Sequence, residues 1–253
     1  MIIQKLTTTL LVVFLVFIFS SGQKVNNNEV AERNSIKNNE LENETLKNEE
    51  RIEFDTTFKI KDHSFRFSIQ DLNEHEFRLI FIKDKNEIKA DTLPSDGLGN
   101  IEFIDFNKDN YIDILLSYIG SNAVKKLYLF DQVNDEFKLL EGFDRFPSAI
   151  QLKKNKNYYY SYHRAGCADM NWVSDLFYID NFKTIHLGHI YGKGCENETA
   201  INPASIEVYK VMENKESNMK LIEILPYVKH IPNFDMKWTF IEEYWNKNYL
   251  KYQ

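Results

Sequence analysis

The chain has little of several residue types, and each shortage excludes something. Its 253 residues include 5 Pro and 9 Gly, too few for a collagen-like or low-complexity polymer. Basic residues number 31 against 38 acidic ones, giving a formal net charge of −7. Nothing in that balance supplies the basic stripe that a nucleic-acid backbone requires. No GxSxG or HExxH motif occurs, so the common serine-hydrolase and zinc-protease signatures are missing. Cysteine appears twice, at Cys167 and Cys195. What the chain does have is aromatic side chains, with 19 Phe, 14 Tyr and 3 Trp.

The N-terminus carries the longest apolar run. Residues 10–19 are unbroken LLVVFLVFIF, preceded by Lys5 and followed by Ser20, Ser21 and Gly22. A charged start, a short apolar stretch and small residues are the pattern of an export signal, expected here over 1–22. The run is short for a ~30 Å hydrocarbon core, which sets the alternative of a retained N-terminal membrane anchor second. Residues 23–50 contain eight Asn, seven Glu and no aromatic residue. Such a segment buries too little apolar surface to offset its ordering entropy and reads as a disordered linker.

From residue 51 the texture changes to short runs of Phe, Tyr, Ile and Val with period-two alternation, separated by polar turns. Twelve strands are expected between Ile52 and Leu225, and one C-terminal helix over Phe240–Leu250. The expected fold for 51–253 is therefore one mainly β domain, an antiparallel blade-like meander of propeller or sandwich type. Three similar segments, at Phe81–Lys89, Leu129–Lys138 and Tyr178–Lys183, have leading acidic residues Asp84, Asp131 and Asp180 spaced 47 and 49 residues apart. That interval suits a repeated blade hairpin.

One constellation is sharp. Residues 105–113, DFNKDNYID, place Asp105, Asn107, Asp109 and Asp113 at loop positions 1, 3, 5 and 9, with Tyr111 offering its carbonyl at position 7. Oxygen donors alternating through a tight loop match the 6–8 oxygen ligands that Ca2+ takes. Asn110 stands where the chain turns, and Asn tolerates the left-handed conformation needed there. Leu116 at position 12 and strand-like flanks distinguish the loop from an EF-hand. The alternative is an Asp/Asn turn held by local side-chain hydrogen bonds.

The segment DFNKDNYIDILLSY, followed by GSNAVKKLYLFDQVNDEFKLL, resembles the single FG-GAP/VCBS-like repeat of a family of exported bacterial proteins, and YYYSYHRAG (158–166) fits the same pattern. Some members of that group are similar to periplasmic lysozyme inhibitors and to immunity proteins against cell-wall hydrolases. The resemblance implies a calcium-stabilised, non-enzymatic binding module with a protein partner such as a secreted glycosidase. A glycan- or surface-binding module is the alternative. Ser117, Gly120 and Asn122, in SYIGSN, are the candidate inhibitory loop.

Two cysteines in an exported chain favour a Cys167–Cys195 disulfide, contributing about 3 kcal/mol by loop-closure entropy. Against it stand two free thiols, or a Cys167–His163–Asp169 catalytic set. His186 and His189 are three apart, and on a regular strand such a pair faces opposite sides, so they read as ordinary histidines. Gly192-Lys193-Gly194 reads as a turn. Tyr158, Tyr160 and Tyr162 share a face and read as core, whereas Arg164, Asp169 and Trp172, in an expected loop, are candidate partner-binding residues.

Overall fold

Alternating Phe and Ile residues dictate the first sheet, and the same device repeats twice along the chain. The computed structural model describes residues 52–195 and 204–253. The expected signal and linker lie outside them. Strands β1 (Ile52–Ile60), β2 (His63–Asn73), β3 (Glu76–Lys83) and β4 (Asn86–Pro94) form a four-stranded antiparallel meander. A second follows from β5 (Leu98–Ile104), β6 (Asp113–Tyr118), β7 (Val124–Asp131) and β8 (Glu136–Leu139).

The third sheet has seven strands. β9 (Ile150–Gln151), β10 (Tyr158–Tyr160), β12 (Asn171–Asp180), β13 (Lys183–Lys193), β14 (Ser205–Met212) and β15 (Lys215–Pro226) lie in that order, and β11 (His163–Arg164) also pairs with β12. The chain closes with a short turn of helix, α1 (Tyr227–His230), then α2 (Met236–Asn248) and a 3-10 turn at Tyr249–Tyr252. The mainly β, blade-like reading with a terminal helix holds.

The three repeated segments are the β3–β4, β7–β8 and β12–β13 hairpins, each joining the third and fourth strand in its sheet's order. Asp84–Lys85 and Asn181–Phe182 form two-residue loops with both φ angles positive, the type I′ geometry that matches strand twist. The sheets stack face to face. Phe65, Phe67, Leu79 and Phe81 of the first meet Ile114, Leu116, Tyr128 and Phe137 of the second in one core. Leu115, Leu127 and Leu129 on the second sheet's other face meet Tyr159 and Phe177 of the third, with Phe143 and Phe146 between. Being covered on both faces, β6 carries three consecutive buried apolar residues, Ile114, Leu115 and Leu116, rather than alternating ones. The far face of the third sheet carries Trp172, Leu176, Ile190, Ile206 and Val208, and α2 covers it with Ile241, Tyr244 and Trp245.

Several local expectations are corrected. Asn157–His163 is not one strand: it breaks after Tyr160, where buried Ser161 donates its backbone N–H to the Asp175 carbonyl and Tyr162 donates to Pro147. Gly192 and Lys193 belong to β13, not a turn, because the Trp172 indole lies across Gly192. Trp172 is itself fully buried in β12 rather than in an accessible loop. Cys167 and Cys195 are joined in a disulfide, which removes the thiol a Cys167–His163 pair would need. No helix among the described residues is long and apolar enough to cross a membrane.

Candidate functional site

The 105–113 loop connects β5 to β6 and is wound on its own oxygens. Asp105 accepts the Asp109 N–H at 3.0 Å and the Asn110 N–H at 3.2 Å. Asp109 accepts the Tyr111 N–H at 2.9 Å, and Asn107 accepts the Asp109 N–H at 3.2 Å. Asn110 is left-handed, at φ 71°. Asp113, fully buried at the start of β6, takes N–H bonds from Phe106 at 2.9 Å and from Phe130 at 3.0 Å. Burial pushes its carboxyl up to about 7; the two N–H bonds oppose this, and the charges on Asp109 and Asp105 add to it. Among the described residues no ion pair reaches Asp105, Asp109 or Asp113.

Four oxygen-bearing side chains with the Tyr111 carbonyl are the donor types a hard cation takes, but Asp105, Asp109 and Asp113 are not among the described residues whose ligand atoms converge within 4.8 Å. As folded, the loop oxygens are also occupied by backbone and amide donors, including Gln132 Nε2 to Asp109 at 3.1 Å. Beside the loop, Asn107, Asp109, Asp131 and Asn181 line one cleft of about 420 Å³ that runs to the Phe182 hairpin.

The SYIGSN segment and Arg164, 42 residues apart in sequence, come together. Asn122 Nδ2 donates to the Arg164 carbonyl at 3.0 Å, and the Arg164 N–H donates to Asn122 Oδ1 at 2.9 Å. The Ile119 N–H is held by the Gly97 carbonyl at 2.7 Å, yet its side chain is 80% exposed. Gly120 is exposed at the tip, while Ser117 lies half-buried in β6. The result is a tethered loop presenting one aliphatic side chain, held to the Arg164 backbone.

Asp169 is a joint rather than a free ligand. Its carboxylate accepts from Lys237 Nζ at 2.9 Å and from the Tyr162 hydroxyl, and Arg164 Nε stands 3.8 Å away. Burial raises its pKa, but the Tyr162 and Lys237 hydrogen bonds outweigh that and leave it below the ordinary carboxylate value. Gly166, Cys167, Ala168 and Asp169 all have positive φ, a left-handed turn closed by the Asp169 N–H on the Gly166 carbonyl. Three non-glycine residues in that region cost roughly 1–2 kcal/mol each. The disulfide and the Lys237 contacts hold the turn in place.

Next to this joint a groove of about 340 Å³ is lined by Ser148, Tyr160, Tyr162, Trp238, Glu242 and Glu243, among others. Trp238 is 46% exposed and packs on Tyr162 with ring centroids 4.1 Å apart. Nothing in the sequence pattern singled out Trp238, since it lies before the helix expected at 240.

His186 and His189, expected to face opposite sides of a strand, instead form a further cluster with Asp175. The β12–β13 register slips between Leu176 and Phe177, so that Gly188 opposes Leu176 and His186 opposes Phe177, with Leu187 the extra residue. That bulge breaks the period of two. His186 and His189 therefore turn to the same carboxylate, with Nε2 and Nδ1 at 3.0 and 2.7 Å from Asp175 Oδ1. The two imidazole hydrogen bonds hold buried Asp175 below the ordinary carboxylate range against its desolvation.

No family model matches the sequence, and no curated protein does. A solved structure titled "Structure of a Xanthomonas Type IV Secretion System related protein" is similar over 70% of this chain and 95% of that one, at 13% identity and a TM-score of 0.40. Likeness at that level carries no part of the reading below.

Proposed function

We propose that the chain is an exported, calcium-stabilised β-rich module that binds a protein without turning it over, and that a secreted cell-wall hydrolase is the partner class. The observation that supports binding is the 119–122 loop. Its Ile119 side chain stands 80% exposed while the backbone is fixed by the Gly97 carbonyl and by both Asn122–Arg164 bonds. A tip already held in one conformation loses little entropy on docking, which favours affinity. An acidic chain also steers toward a basic partner. The disulfide suits an oxidising compartment.

The test titrates the full chain against purified glycosidases and amidases that cut bacterial cell wall, reading both affinity and residual hydrolysis. Tight binding with loss of hydrolysis is expected, weakened at least tenfold by Ile119→Asp. Absence of binding across both classes would sink the reading. A second reading rests on the Trp238–Tyr162 groove, where an aromatic face beside Glu242 and Glu243 suits a sugar ring. Binding to insoluble polysaccharide that survives Ile119→Asp and is lost in Trp238→Ala would select it.

Calcium has its own test. The carboxylates of Asp105, Asp109 and Asp113 share one loop without a cationic partner among the described residues, and a divalent ion relieves their repulsion. At a hundredfold excess over its Kd, Ca2+ is expected to stabilise the full chain by about 2.7 kcal/mol. For a chain of this size that is a rise in Tm of roughly 5–10 °C, reversed by chelator. Asp109→Ala should abolish the rise. An unchanged Tm in the wild-type chain would leave 105–113 as a hydrogen-bonded turn.

A further inference from the structure

We propose that Asp175, His186 and His189 form a second cation site, for a borderline transition metal of the zinc class. The argument is one of register. His189 stands directly opposite Asp175 in the β12–β13 ladder, and His186 stands opposite Phe177, two residues on and on the same face. On the other side of β12, His163 opposes Val173, again two residues from Asp175. Three of the chain's six histidines thus gather around one buried carboxylate.

The ligand atoms of Asp175, His186 and His189 all lie within 4.8 Å of one another. Tetrahedral zinc with bonds of about 2.0–2.1 Å sets its ligand atoms about 3.4 Å apart, so the 2.7 and 3.0 Å separations must open by about 0.7 and 0.4 Å and the two nitrogens, within 4.8 Å of each other, close by about 1.4 Å at most. Two imidazoles and a carboxylate are a donor set for zinc, cobalt or nickel rather than for calcium, which distinguishes this cluster from the 105–113 loop. Side-chain exposures of 5% for Asp175, 1% for His186 and 19% for His189 leave entry from the His189 side. His163 stands on the same face, and its Nδ1 is buried without a hydrogen-bond partner.

In the metal-free protein both coordinating nitrogens carry the proton. His189 Nδ1 donates to Asp175, and His186 Nε2 faces both Asp175 and the Gly188 carbonyl at 3.0 Å. Binding replaces these N–H···O contacts with N–metal bonds, and the proton on each coordinating nitrogen passes to the ring's other nitrogen or to solvent. For His186 that nitrogen is Nδ1, which is buried without a partner. A ring lacking such outer support binds about 10–100-fold more weakly than one that has it.

The test titrates the full chain with Co2+ and then Zn2+ in excess Ca2+, which occupies any oxygen-only site. One equivalent of Co2+ with the intense visible absorption of a four-coordinate ion, displaced by Zn2+, is the expected result. His189→Gln should weaken binding at least tenfold, while His63→Ala and His75→Ala leave it unchanged. X-ray absorption of the wild-type zinc form counts imidazoles directly should the variant not fold; two or three, with oxygen and no sulfur, are expected. No stoichiometric binding at 100-fold excess, full affinity in His189→Gln, or fewer than two imidazoles on the zinc would each overturn the site.

Discussion

Asp169→Ala is expected to destabilise the chain by about 3–5 kcal/mol, a fall in Tm of roughly 6–20 °C. The reason is its partner rather than Asp169 itself. Lys237, on the first turn of α2, is 0% exposed, and its Nζ reaches the Asp169 carboxylate at 2.9 Å and the Asp169 carbonyl at 3.1 Å. Around it stand the rings of Phe234 at 3.8 Å, Trp238 at 5.0 Å and Tyr162 at 5.3 Å from Nζ to centroid. Removing the carboxylate leaves an ammonium buried among aromatic faces with one carbonyl for company. Lys237→Met should cost much less, because Asp169 keeps the Tyr162 hydroxyl and part of its hydration. The double variant Asp169→Ala/Lys237→Met is expected to recover most of the loss, since a buried pair replaced by apolar groups is often near neutral. Equal losses in the two single variants, measured by denaturant unfolding, would refute this account.

The same pair sets a pH dependence. Asp169 is held below the ordinary carboxylate value of 3.8, so its contribution is fully present above that pH and is lost as pH falls through the lowered value. The stability gap between wild type and Asp169→Ala should therefore be constant from about pH 5 to 7 and close below about pH 4. A gap that persisted unchanged at pH 2 would mean that the charge on Asp169 plays no part.

Which features were legible in the sequence follows from how local they are. Phe54, Phe58 and Ile60 alternate with polar neighbours, and β1 can be read from them alone because one face of the strand is buried. β4 escaped because it is an edge strand whose Lys89 and Asp91 pair with each other, so its alternation is diluted. The 105–113 loop was legible because its geometry is encoded within nine residues, down to the left-handed Asn110. Convergence across strands was not. Asn122 and Arg164 lie 42 residues apart, and only the stacking of the second and third sheets joins them. On a regular strand His186 and His189 face opposite sides, but the bulge at Leu187 is fixed by pairing with β12, and Gly188 is its one local sign. Lys237 drew no attention, because a lysine is the residue least expected in a core.

Trp172 shows the same limit, and it carries the second large expected effect. The hairpin spacing left it in an apparent loop; in the fold its indole is sealed between β13 and α2 and donates from Nε1 to the Tyr227 hydroxyl at 3.2 Å. Trp172→Ala is expected to cost about 3–5 kcal/mol, from lost burial and the cavity left behind. The neighbour that makes room for the ring is Gly192, directly opposite in the ladder. A Cβ there would meet the indole Cε2 at 2.1 Å and Nε1 at 2.4 Å, and a rigid buried ring cannot yield to it. Gly192→Ala should thus destabilise by about 1–3 kcal/mol through overpacking, unusual for so small a change in a strand. In a Trp172→Leu background the shorter side chain no longer covers Gly192, and the same substitution should become nearly neutral. The two effects are therefore strongly non-additive, with a coupling of about 1–3 kcal/mol in a double-mutant cycle. Additive losses would place the indole elsewhere and reopen Trp172 as an accessible binding residue.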